Sequence, residues 1–278
     1  MADGDILYAR GALTPARHAL KFIATGDEAA LIDEFAVARV AANDTEGTFT
    51  AWVNIPDKTG DYAIVSCGDT AAIEFLTLRV TAGKLVIECN DATVDQFEHT
   101  STNIVITPHK WHHVAVTQTA TLEAPKLYVD GVKVAQTATL ATDNGTWFSD
   151  LNLTDDGSIG AGEEAGAAAQ IREYKGGISD VKYWTVPLTP AQIKKDYQGQ
   201  APDTITGTSG DLTDWWEMKD LTNSVTAANA ITLGASILFV NGYSEFTSKM
   251  AFLGAVIDDD ITIAMTDKTG LCVVLKAA

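Results

Sequence analysis

Histidines, acids and exposed aromatics are the side chains here that could do chemistry, and their spacing limits what that chemistry is. His109, His112 and His113 cluster around Lys110 and Trp111. Imidazoles close in sequence suggest a metal site or a general base. However, His112 and His113 are consecutive in a segment that alternates like a strand, so they point to opposite faces. No nucleophile motif accompanies them. They read as strand-edge histidines around a core tryptophan.

Acids are spaced against hydrolysis. A retaining glycosidase needs two carboxyls only ~5 Å apart on one face. The strand-like run 84–89 carries Glu88 alone, while Asp155-Asp156 and Glu163-Glu164 are adjacent pairs in loop-like sequence. Adjacent residues in a strand diverge to opposite faces. No catalytic residue is expected. Trp147 and Phe148 lie in the loop-like stretch 143–150, and a tryptophan face can stack on the C–H face of a sugar. With Asp155, Asp156, Glu163 and Glu164 they form the expected ligand-binding rim. Trp215 and Trp216 are adjacent, so one of them faces away from the core if the segment is a strand.

The elements that must position these groups are short strands. Trp111–Thr117 and Leu127–Val134 alternate apolar with polar residues, the mark of half-buried strands. Asp130-Gly131 breaks the second run as a tight primed turn would. Similar runs occur at 20–23, 29–32, 49–55, 62–67, 73–80, 84–89, 104–106, 178–184 and 214–218. Thr189-Pro190 places a cap before proline at the first helical position, and Ile193 and Tyr197 are four apart, so 190–197 is expected to be a helix. From Ser224 to Asn229 small residues suggest a linker. The stretch 230–278 reads as three or four further strands, ending in a hairpin across Asp267–Gly270.

Composition narrows the partners. The chain has 278 residues, 46% of them hydrophobic, enough for a sizeable core. Its 37 acidic and 19 basic residues give a formal net charge of -18, a field that repels nucleic acid. Cys67, Cys89 and Cys272 form no Cys-x-x-Cys pair and read as free buried thiols. No apolar run approaches the ~20 residues of a membrane helix, and the acidic start is unlike a signal peptide. Residues 1–17, containing Arg10, Arg17 and His18, read as an N-terminal arm.

The order of pieces is specific. Leu20-Lys21-Phe22 with Gly26-Asp27, Phe49–Val53, Trp111–Val116, Leu127–Gly131, Ser158-Ile159-Gly160, Gly177–Trp184 and Leu188–Ile193 occur in succession. This resembles the laminin G-like modules of the concanavalin A-like lectin/glucanase superfamily, over residues 18–222. The resemblance implies an all-β, two-sheet antiparallel jelly-roll sandwich, with 223–278 left as a small C-terminal β appendage that packs on the main domain or serves assembly. The Glu-x-Asp-x-Glu strand of the superfamily's glucanases is missing. Relatives that bind Ca²⁺ do so where early strands meet a late aspartate; Asp180 matches the late position and Asp27 the early one, making them the candidate calcium ligands.

These readings point to a non-catalytic structural or binding module. The expectation is a virion surface or assembly protein, a decoration or fibre component. Its partners would be copies of itself or other particle proteins, met through the arm and the tail. A fold usually displayed outside cells, without an export signal, suits a protein made in the cytoplasm and released by lysis. The alternative is a secreted or cell-surface carbohydrate-binding lectin, calcium-assisted. A glycoside hydrolase is a distant third.

Overall fold

The computed structural model describes residues 17–22, 29–69, 71–92, 94–164, 171–233, 237–243, 262–264 and 272–274. The chain divides into two units, Ala16–Glu245 and a smaller one of Met1–Pro15 with Phe246–Ala278.

In the larger unit the strands are β1 (Arg17–Phe22), β2 (Ala30–Leu31), β3 (Gly47–Asn54), β4 (Asp61–Asp69), β5 (Glu74–Thr81), β6 (Lys84–Asp91), β7 (Asp95–Ser101) and β8 (His112–Gln118). They continue as β9 (Lys126–Val129), β10 (Val132–Lys133), β11 (Gln136–Ala141), β12 (Asp156–Ile159), β13 (Gly176–Trp184), β14 (Leu212–Trp216), β15 (Thr232–Leu233) and β16 (Leu238–Tyr243). One sheet runs β10-β9-β8-β3-β13-β1-β16, with β14 also paired to β13. The second runs β11-β7-β6-β5-β4-β12-β2-β15. This is the expected jelly-roll sandwich. Its core comes from strand alternation: Phe49, Ala51 and Val53 of β3 and Val114 and Val116 of β8 meet Leu76, Leu78, Val80, Leu85 and Ile87 of the second sheet, all buried.

The hairpin signal holds. Asp130 and Gly131 have φ of 50° and 76°, the primed geometry that joins β9 to β10. By contrast, Ile104–Ile106 forms no strand. It lies as a loop whose Val105 and Ile106 amides both donate to the Gly83 carbonyl at 3.0 Å.

A helix, α1 (Asp33–Ala42), follows β2 and is unforeseen in the apolar pattern. Its apolar face is narrow, with only Phe35 and Ala36 buried. Asp33 and Glu34 in its first turn, Arg39 in its last and Asn43 in the left-handed conformation beyond it are ordinary helix-end chemistry. Phe35 meets the rings of Phe49, Phe148, Tyr183 and Trp216 edge-on, at centroid distances of 5.9, 5.9, 5.2 and 5.3 Å. One side chain thus joins α1 to both the first sheet and the 147–148 segment. The predicted helix is α2 (Pro190–Tyr197), with Thr189 and Gln192 forming a capping box. A short α3 (Asp203–Thr206) follows.

Residues 223–233 and 237–243 are not a linker and tail. Asn223 and Asn229 are buried and both donate to Asp214 Oδ1, at 2.8 and 2.6 Å, and Trp216 Nε1 donates to the Asn229 carbonyl at 2.8 Å. β15 then extends the second sheet beside β2, and β16 extends the first beside β1. The small residues mark a crossing between sheets, and the division falls at 245 rather than 222. In the smaller unit, β17 (Thr262–Ala264) pairs antiparallel with β18 (Cys272–Val274), as the expected hairpin requires. The rest of the arm, residues 1–16, lies outside the described residues. A chain ending at 245 is expected to keep the cooperative unfolding of the sandwich, whereas one ending at 222 loses both edge strands and the partners of Asp214. Urea titrations of the two truncations check this.

Candidate functional site

The outer face of the second sheet carries a fixed array of charge. On β5, Leu76, Leu78 and Val80 point inward, so Thr77, Arg79 and Thr81 point out. Register then sets their neighbours. Thr77 faces Glu88, which faces Glu98, and Asp61 faces Thr81. Arg79 sits among them. Its Nε and Nη2 donate to Glu88 Oε2 at 3.2 and 2.6 Å, and Nη2 also donates to Glu98 Oε2 at 3.0 Å. Nη1 donates to Asp61 Oδ1 at 3.3 Å and to Thr81 Oγ1. Burial pushes the Arg79 guanidinium down, but Glu88, Asp61 and Glu98 together outweigh it and raise it above its ordinary value.

A second arginine arrives from the segment after β12. Arg172 has φ of 53°, and its Nε pairs with Asp61 Oδ2 at 3.2 Å while Nη1 reaches Glu88 Oε2 at 3.3 Å and Glu164 Oε2. Gly162 bridges to Ile171, and the Glu163 amide donates to Ser66 Oγ at 2.9 Å, so this segment lies directly on β4. Gly68 permits the approach, since a Cβ there would lie 2.1 Å from the Glu163 carbonyl oxygen.

The sequence-predicted rim is therefore redistributed. Trp147 and Phe148 are 0% exposed and belong to the core, not to a ligand platform. Trp147 Nε1 donates to the Tyr183 hydroxyl at 3.1 Å, which donates to Asp44 Oδ2 at 3.1 Å. Glu163 and Glu164 are buried, not displayed on a loop. Burial raises the Glu164 carboxyl, with Arg172 opposing, so this acid holds Arg172 in place. Asp155 is exposed and Asp156 half-buried at the end of β12. Burial and the neighbouring Asp156 and Asp69 raise Asp155. Glu74, unremarked in the sequence, shapes that turn: its Oε1 accepts from the Leu153 and Thr154 amides at 2.7 and 2.8 Å.

Asp27 lies outside the described residues. Asp180 sits in a β-bulge of β13 between the Ser179 and Lys182 pairings, with φ of 53°. Its Oδ2 accepts from Lys182 Nζ at 2.8 Å and its Oδ1 from Trp215 Nε1 at 2.6 Å, so donors from the same chain engage both oxygens. Among the described residues there is no group of three or more His, Cys, Asp and Glu side chains that could hold a metal ion.

The histidines occupy structural positions, as their alternation implies. His112 shares a hydrogen bond with Asp130 across the hairpin at 2.9 Å and another with Thr107 Oγ1 at 2.8 Å. His113, on the outer face of the first sheet, meets Asp196 Oδ2 of α2 at 3.0 Å, and Lys182 Nζ donates to Asp196 Oδ1 at 3.0 Å. Burial pushes the Asp196 carboxyl up, but Lys182 and His113 more than reverse this and hold it well below its ordinary value. Lys182 is pushed down by burial and raised on balance by Asp196 and Asp180.

A depressed aspartate stabilises the fold above its unfolded value of 3.8 and loses that contribution as pH falls through the folded one. A raised lysine contributes below its unfolded value of 10.5 and loses it as pH rises further. Asp196→Asn leaves the Lys182 charge buried with one acid fewer and is expected to cost about 3–5 kcal/mol at neutral pH. Its deficit should shrink as pH falls below about 4. Urea unfolding of both proteins across pH measures this.

Chemically, the Arg79 array is a set of paired charges whose outer groups stay partly open. Glu88 and Glu98 face each other across two strands, the carboxylate pair that one-strand spacing could not reveal. Yet Arg79 Nη2 bridges them, occupying the place where a glycosidic oxygen would have to sit. What remains is a set of donors (Arg79, Arg172, Thr81) and acceptors (Asp61, Glu88, Glu98) held in fixed positions by paired strands. Of these only Glu88 stands out in the sequence. The available signal for Arg79 is a charged residue in an alternating apolar strand.

The family model for the concanavalin A-like lectin/glucanases superfamily, of the laminin G type, matches residues 28–194, more than half of the chain. The chain belongs to this superfamily. Among curated proteins none matches its sequence. Solved structures share the superfamily fold at low identity. The CBM40 of the Ruminococcus gnavus IT-sialidase, bound to alpha2,3 sialyllactose, is 13% identical with a TM-score of 0.54, covering 67% of this chain and 100% of that one. A candidate carbohydrate binding protein from Bacteroides ovatus is 18% identical with a TM-score of 0.52, covering 82% and 60%. A leech intramolecular trans-sialidase, complexed with 2,7-anhydro-Neu5Ac, is 17% identical with a TM-score of 0.51, but only 28% of its chain is covered. Binding modules and pieces of sialidases thus share this lectin-like fold.

Proposed function

We propose that this chain is a non-catalytic carbohydrate-binding module whose ligand lies across the outer face of β4–β7. The observation that carries the reading is the Arg79 array. It presents charged donors and acceptors on rigid strands, with Asp61, Glu98 and Arg172 still 37%, 26% and 21% exposed in their side chains. Sugar hydroxyls are both donors and acceptors, and such a face can engage both roles at once. The similarity to a CBM40 and to a candidate carbohydrate binding protein supports the ligand class. The Arg79 bridge supports binding without hydrolysis.

A glycan array followed by calorimetry tests this. Arg172→Ala and Glu98→Gln are each expected to weaken the glycan that binds by at least about tenfold, which is ~1.4 kcal/mol, with no glycan hydrolysed by the unaltered chain. Absence of binding to any neutral or acidic glycan would refute the proposal. Repeating the array with EDTA tests calcium assistance through Asp27 and Asp180, which predicts a loss of affinity on chelation.

A second reading, display and assembly on a particle surface, is favoured by the smaller unit. Among the described residues β17–β18 is a two-stranded ribbon, and such a ribbon is marginal alone and gains stability from further strands or a packing partner. Self-association measured by light scattering is expected for the whole chain and should be lost in the chain ending at 245. A strictly monomeric whole chain would sink this reading.

A further inference from the structure

The larger unit has a recess on the outer face of the first sheet. It lies where β13 and β14 meet the segments around α3, and its volume is about 560 Å³, within the ~300–1,000 Å³ of small-molecule sites. Asp180, Lys182 and Trp184 of β13, Leu212 and Trp215 of β14 and Val225 line it. Lys182 pairs directly with Trp215 across the strands, and the Lys182 ammonium stands 5.4 Å from the indole centroid. Trp215 is half-buried, and its bond to Asp180 fixes the ring.

Two groups are chemically incomplete. The indole N–H of Trp184 is fully buried and has no acceptor among the described residues. A buried donor left without an acceptor is unfavourable, and a ligand oxygen reaching it would remove that cost. Lys182 gives one N–H each to Asp180 and Asp196, and an ammonium has three. Asp180 accepts one bond on each oxygen and has lone pairs left for hydroxyl donors.

We infer that this recess is a second ligand site and takes one neutral pyranose ring. Trp215, Leu212 and Val225 supply an apolar wall for the C–H face of a ring. Trp184 and Lys182 supply donors, and Asp180 supplies an acceptor. The lining charge excludes anions: Asp180 and Asp203 stand against a Lys182 already shared between two aspartates, in a chain of net charge -18. The inference is independent of the Arg79 array, which lies on the other sheet. Ligands on both outer faces would let one module bridge two glycan chains.

The test titrates the whole chain with methyl glucoside, methyl galactoside and methyl mannoside, reading tryptophan emission and saturation-transfer NMR. At least one should bind. Trp215→Ala should abolish that signal, and so should Ser209→Trp, which fills the recess from an exposed loop without touching the Lys182 bonds. Thermal melts confirm that both variants fold. Arg172→Ala should leave the signal within about twofold, equivalent to ~0.4 kcal/mol. Inorganic phosphate should give no response. Silence of all three glycosides, or a signal that survives Ser209→Trp, overturns the site. A signal lost in Arg172→Ala and kept in Ser209→Trp assigns the sugar to the array and also overturns it. A phosphate response that Ser209→Trp removes overturns the neutral-ligand assignment.

Discussion

One buried ammonium organises the outer face of the first sheet. Lys182 lies on the central strand β13, is 5% exposed, and is held between Asp180 and Asp196. Desolvating an ammonium costs several kcal/mol unless partners surround it closely. Its neighbours are therefore constrained. The bulge must set Asp180 at positive φ, α2 must dock so that Asp196 arrives, and His113 completes the second oxygen of Asp196. Trp215 is oriented in turn through Asp180. The capping box at Thr189 starts α2 at the right residue, and Ile193 seats it on Tyr128 and Trp184. Charge, helix and recess follow from one side chain.

The two outer faces solve different problems. On the first sheet, α2 covers apolar residues around the Lys182 charge. On the second, the Arg79 array stays partly open. Four acids around two arginines leave an excess of acceptors there, consistent with the acidic balance of the whole chain. The same guanidinium that makes the array stable also separates Glu88 from Glu98.

Local chemistry was readable wherever it depends on residues close in the chain. The Asp130-Gly131 turn, the Thr189-Pro190 helix start and the strand alternation of β3, β5 and β8 all stand as read. Segments failed where burial is decided by distant partners. Trp147 and Phe148 look like a loop tip because their neighbours are polar, yet Phe35 and Tyr183 enclose them. Glu163 and Glu164 look mobile beside glycine and alanine, yet Ser66 and Arg172 hold them down. The 223–229 stretch looks like a linker, but its asparagines are the hydrogen-bond partners of a buried aspartate fifteen or fewer residues earlier.

By itself the sequence determined the class of structure: apolar alternation at period two leaves only packed sheets as a place to bury those faces, and the order of motifs names the superfamily. It also determined which histidines face apart, because alternation is a property of one strand. Tertiary structure decided where function can reside. Glu88 and Glu98, or Lys182 and Asp196, become neighbours only through cross-strand register and helix docking. Whether a carboxylate is an open ligand or an ion-pair member depends on charges brought in from elsewhere in the chain. Those contacts fall away steeply with distance in space and carry no mark in the spacing of the residues that make them.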